Sequence, residues 1–141
     1  MLLSKNFSLA ELTKSATATR KGIDNTPDAK ITERLRRLAT EVLQPLRDAF
    51  GEPIVVSSGY RCPALNKAVG GSATSQHMQG TAADIHVLSD RPADNRRLFD
   101  CAKRLMDEGK IKVGQLIDEY GYDWVHISLP GNHVNQVLHL K

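Results

Sequence analysis

Cysteine is nearly absent from this chain. Cys62 and Cys101 are its only two; they form no CxxC pair, and two thiols cannot build a disulfide framework. The core is therefore expected to hold the fold, with both thiols reduced. Aromatic residues are also scarce, 5% of the chain with a single Trp, which leaves few platforms for stacking nucleic-acid bases. No apolar run is long enough to span a membrane. The opening Met1-Leu2-Leu3-Ser4-Lys5 lacks the apolar stretch of a secretory signal. The expectation is a protein made in the cytoplasm that reaches an extracellular substrate, such as cell wall, only after release.

Nor does any repeat, low-complexity block or linker divide the 141 residues. Residues 1–141 are expected to form one domain with its own core, acting as a monomer. The formal net charge of +3 is mild, and the basic residues do not interleave with aromatics. No nucleic-acid partner and no membrane are expected. The basic balance gives only weak steering toward an anionic polymer such as cell wall.

Local patterns suggest the elements. Phe7 to Leu12 reads as a short helical turn opening at Ser8, and Ala16 to Asn25, mostly polar, as loop. The clearest helix is expected to be capped by Thr26, with Pro27 at its first position. Ile31, Leu35, Leu38, Val42, Leu43 and Leu46 then recur at helical spacing. Pro45 should kink this helix and Gly51 should stop it. Its polar face, with Glu33, Arg34, Arg36, Arg37 and Arg47, reads as solvated. Ile54 to Ser57 and Ala82 to Val87 read as strands, and Gly70 to Ser75 as loop. Pro92 to about Asp107 reads as a second helix ended by Gly109. Val113 to Tyr120 and Trp124 to Leu129 read as strands around a hairpin-like turn. Pro130 to Lys141 carries no clear pattern. The order implies an α+β fold with a central antiparallel sheet.

The chemistry concentrates in Ser75-Gln76-His77 through Asp84 and in Asp123-Trp124-Val125-His126. His77, Asp84 and His126 offer two imidazoles and one carboxylate, a donor set that suits zinc with a position left open. Alternation along a strand puts Trp124, His126 and Ser128 on one face, with Val125, Ile127 and Leu129 on the other. Asp84 and His126 can thus aim at one point, with His77 closing from the preceding loop. Asp123, in the turn ahead of His126, is a candidate proton acceptor. His86 shares the predicted face of Asp84 and competes as a ligand. His133 and His139 lie in the tail, with His133 a candidate to approach the cleft.

Several motifs in order then resemble a known family. Ser57-Ser58-Gly59-Tyr60-Arg61, Leu65-Asn66, Ser75-Gln76-His77, Gly80-Thr81-Ala82-Ala83-Asp84-Ile85 and Asp123-Trp124-Val125-His126-Ile127-Ser128 resemble the zinc D-alanyl-D-alanine carboxypeptidases. This group includes vancomycin-resistance D,D-dipeptidases and phage L-alanyl-D-glutamate endolysins. The wider clan includes lysostaphin-type peptidases and the Sonic hedgehog signalling domain. The resemblance implies an α+β domain with a central antiparallel sheet and helices packed on one side. It implies that His77, Asp84 and His126 bind Zn2+ and that Asp123 is the general base. Arg61 would hold the oxyanion or a substrate carboxylate, and Ser75 and Gln76 would lie near the substrate. Family members often carry Glu where this chain has Asp123, so the reach of the shorter side chain is an open point.

The implied activity is hydrolysis of peptidoglycan stem peptides, either as a carboxypeptidase releasing D-alanine or as an endopeptidase cutting L-alanyl-D-glutamate. The domain would suit a phage or prophage lysis protein. The competing expectation is an inactive zinc-containing module that binds cell wall or a virion partner, as the hedgehog domain shows for this clan.

Overall fold

A computed structural model describes residues 1–141. Ser8 opens helix α1 (Leu9–Thr13) through a reciprocal capping box with Glu11, as the sequence suggests. The next segment departs from expectation. Ala16–Lys21 is a helix, α2, and not loop. Ser15 caps it, Gly22 ends it in the left-handed conformation at φ 66°, and only Ala18 is buried. Local capping, rather than an apolar stripe, makes this helix.

The long amphipathic segment begins later than Thr26. Asp28 is the cap of α3 (Ala29–Leu38), with its carboxylate accepting from Ile31 N at 2.8 Å. Thr26 instead hydrogen-bonds Asp24. Pro45 acts as expected, through an identifiable device. Pro45 has no N–H for the Glu41 carbonyl, and residues Ala39–Leu43 widen to a π-turn in which Gln44 N reaches Ala39 O. The helix then resumes as α4 (Gln44–Phe50) and stops at Gly51, φ 76°.

Strand β1 (Ile54–Ser58) leads to α5 (Pro63–Ala68), a short helix with Pro at its first position. Then come a 3-10 turn (Gln76–Gln79), β2 (Ala82–Val87), α6 (Pro92–Asp107), β3 (Gln115–Glu119), β4 (Trp124–Ser128) and β5 (Gln136–Leu140). The strand order is β1-β2-β4-β3-β5. The first four strands pair antiparallel, as expected; β5, from the tail without a pattern, adds parallel to β3. The sheet therefore has an antiparallel centre and one parallel edge.

The helices pack on one face of this sheet. Leu35, Leu38, Val42, Leu46, Leu98, Phe99 and Ala102 close over Val56, Ile85, Val125 and Ile127 in one core. This face is dry, and the other carries the polar residues of the strands. Cys62 and Cys101 are both free thiols.

Asn95, fully buried on α6, ties the two halves together. Its Oδ1 accepts from Val87 N at 2.9 Å, and its Nδ2 donates to Tyr122 O (2.9 Å), Asp123 O (3.2 Å) and Asp90 Oδ1 (3.2 Å). It anchors the end of β2 and the β3–β4 turn to one helix. Removing such a partner strands several buried polar groups. Asn95→Ala is expected to lower the unfolding free energy by about 3 kcal/mol in urea titration; an unchanged midpoint would show that the turn does not depend on it.

Candidate metal centre and cleft

On the open face of the sheet, register decides what meets. Asp84 pairs with His126 across β2 and β4, and Ile117 pairs with His126 across β3 and β4. Side chains directly opposite one another stand on the same face, so Asp84 and His126 converge as expected. His77 arrives from the 3-10 turn before β2. The candidate donor atoms of His77, Asp84 and His126 lie within 4.8 Å of one another.

Each imidazole is held by its other nitrogen. His77 Nδ1 lies 2.8 Å from Gly59 O, a carbonyl that can only accept, so the proton sits on Nδ1 and the lone pair on Nε2. His126 Nε2 lies 2.9 Å from Gln76 Oε1, which leaves the lone pair of the neutral ring on Nδ1. Those two freed nitrogens, His77 Nε2 and His126 Nδ1, face Asp84 Oδ1 at 3.3 and 3.1 Å. Two lone pairs and a carboxylate aimed at one point need positive charge between them. Outer contacts that fix the ring tautomer are the usual support of a metal-binding histidine. The donor set, two N and one O, fits zinc with a further position open.

Burial alone would push the Asp84 carboxyl up, but hydrogen bonds from His126 and His77 outweigh it and hold Asp84 well below the usual carboxylate range. Gly59, which supplies the His77 acceptor, has no room for a side chain. A Cβ there would stand 2.2 Å from Leu12 O. The Ser-Gly-Tyr-Arg stretch is thus packed against α1, with Tyr60 N donating to the same Leu12 carbonyl at 2.7 Å.

The three residues lie in a cleft of about 1100 Å³ whose lining is mostly polar. Arg61 and Ser75 are both in it, and Arg61 Nη2 donates to Ser75 Oγ at 3.1 Å. Burial pushes the Arg61 guanidinium down, against the opposing pull of Asp84 and Glu119. Its Nε is buried without a partner, so the fork is not satisfied within the chain. Gln76 also lines the cleft, with its amide oxygen engaged by His126.

Other positions depart from the sequence reading. His86 is outside the cleft lining; its Nδ1 lies 2.7 Å from Val87 O and 3.4 Å from Asp90. His133 does reach the cleft rim, whereas His139 pairs with Asp118 beside Phe99. Arg34, read as a solvated residue of α3, lines the cleft and donates to Gln79 O at 3.3 Å. Asp123 is exposed in the β3–β4 turn and is not among the residues lining the cleft, while Glu119 is. The strand reading ended near Glu119 without asking which way it faced. Its alternation with Gln115 and Ile117 held that signal.

With this geometry in hand, comparison with known proteins is informative. The pattern of the peptidase M15 family matches residues 5–128. The chain belongs to the peptidase M15 family. A 44-residue stretch is 48% identical to the zinc D-Ala-D-Ala carboxypeptidase of Streptomyces albus G, a match covering 30% of this chain and 17% of that protein. No helix of the M15 chain is long and apolar enough to cross a membrane.

The tautomer argument has a direct consequence. Gln76→Leu removes the acceptor that keeps the His126 lone pair on Nδ1. It is expected to weaken zinc binding about 10–100-fold in competition with a chromogenic chelator. Affinity equal to the unaltered protein would mean that Gln76 does not set the ring.

Proposed function

We propose that this chain is a zinc-dependent peptidase acting on peptidoglycan stem peptides. The observation that carries the reading is the convergence of His77 Nε2, Asp84 Oδ1 and His126 Nδ1 in the cleft, with both rings held by Gly59 O and Gln76 Oε1. His77, Asp84 and His126 hold the zinc ion in this proposal. When bound there, zinc supplies Lewis-acid polarisation of a carbonyl and makes water a usable nucleophile near neutral pH.

Membership of the M15 family and the stretch shared with a zinc D-Ala-D-Ala carboxypeptidase support the substrate class. So does the charge of the cleft. Arg61 and Arg34 give its lining two guanidiniums, and stem peptides carry carboxylates along their length. Arg61 takes the substrate carbonyl or carboxylate with its planar donor fork. Ser75 keeps that fork in place through its hydroxyl, and Gln76 keeps His126 oriented. A carboxylate of the chain moves the proton from water to the leaving nitrogen. The spacing shared with the family names Asp123 for that task.

The test is incubation of purified sacculi with the protein, with and without chelator and zinc add-back, with products read by mass spectrometry. Release of D-alanine marks the carboxypeptidase cut; a new L-alanine carboxyl and D-glutamate amine mark the endopeptidase cut. Either product should disappear with chelator and return with zinc, and Arg61→Ala should reduce its rate about 10²–10³-fold. Bound zinc without cleavage of any stem-peptide bond would instead favour a binding module of cell wall or virion.

A further inference from the structure

We propose that Glu119, rather than Asp123, is the carboxylate that carries the proton during hydrolysis; the proposal rests on the peptidase reading above. Parity in the sheet is the first argument. Asp123 precedes His126 by three positions, and residues three apart along a strand face opposite sides. Trp124 and His126 face the cleft, so Asp123 shares the parity of Val125 and Ile127, which pack in the core beneath α6. Asp123 itself is exposed in the turn.

The turn is also fixed in that attitude. Tyr120, Gly121 and Tyr122 all have positive φ, at 53°, 66° and 69°. Asp123 N donates to Glu119 O at 3.1 Å. On the far side Asn95 Nδ2 holds the carbonyls of both Tyr122 and Asp123. Turning the Asp123 carboxylate into the cleft would require this buried clamp to open.

Glu119 already faces inward. It pairs directly with Trp124 across β3 and β4, and Ile117 pairs with His126. Glu119 is therefore the diagonal neighbour of His126 on the same face, roughly 7–8 Å away by sheet geometry, which a long side chain spans. Its Oε2 accepts from the Trp124 indole at 3.0 Å, which holds the carboxylate at the cleft wall and leaves Oε1 free for a proton. The Glu119 charge also acts on Arg61, so the two groups address the same space.

The step balances simply. Water adds to the scissile carbonyl carbon, forming a C–O bond, and gives one proton to Glu119. The C–N bond breaks as Glu119 passes that proton to the leaving nitrogen. The second water proton remains with the new carboxyl group, which ionises to solvent.

Glu119→Gln and Asp123→Asn keep shape and remove one acceptor each. The assay is steady-state cleavage of the stem peptide identified with sacculi, together with zinc content and emission of Trp124, the chain's single tryptophan. Glu119→Gln should lower kcat about 10²–10⁴-fold, leave KM and one bound zinc unchanged, and shift the Trp124 emission. Asp123→Asn should stay within a few-fold of the unaltered enzyme with unshifted emission. A loss in Asp123→Asn as large as this, or full activity or lost zinc in Glu119→Gln, would overturn the assignment. Zinc-loaded but inactive unaltered protein would overturn the peptidase reading itself, and this assignment with it.

Discussion

Asp84 Oδ1 sits between two ring nitrogens, 3.3 Å from His77 Nε2 and 3.1 Å from His126 Nδ1. In the neutral rings both of those nitrogens carry lone pairs, because Gly59 O and Gln76 Oε1 engage the opposite edges. Three electron-rich atoms in a largely buried place repel one another unless a cation stands among them. A proton can do this, and so can a metal ion, whose binding would displace protons. Much of the local architecture follows from meeting that constraint. Gly59 lies where a side chain cannot fit so that its carbonyl reaches His77, and the 3-10 turn brings Gln76 and His77 to opposite sides of the same centre.

The sheet supplies the precision that loops alone would not. Asp84 and His126 stand opposite one another on β2 and β4, and Ile117 and Glu119 on β3 extend the same face. The apolar parity of these strands is locked against the helices, so a one-residue slip would send His126 into the core and Val125 into the cleft. Core packing therefore fixes the chemistry: register, rather than any contact within the site, decides which carboxylate can serve it.

The centre was legible in the sequence because its residues are close together along the chain and carry distinctive types. His77, Asp84 and His126 could be picked out by spacing and alternation, and α6 by its apolar repeat. Other features depended on information that local patterns lack. Helix α2 buries only Ala18, so it shows no stripe and is made by its caps. Strand β5 pairs in parallel with β3, a contact that follows from the path of the chain rather than from the tail's composition. Arg34 belongs to the cleft because the turn at Gln79 lies beside α3. Asp123 drew attention through its spacing from His126, yet spacing does not say which face a side chain takes. Glu119 was visible as the end of a strand, and only the hairpin register placed it beside His126.

The central claim is that one zinc ion is held by two nitrogens and one oxygen, with neither thiol involved. X-ray absorption at the zinc edge of the purified, zinc-loaded protein tests this most directly. The account predicts one zinc per chain with nitrogen and oxygen neighbours at about 2.0–2.2 Å and no sulfur shell near about 2.3 Å. A sulfur shell from Cys62 or Cys101, or no zinc retained after gel filtration, would contradict it.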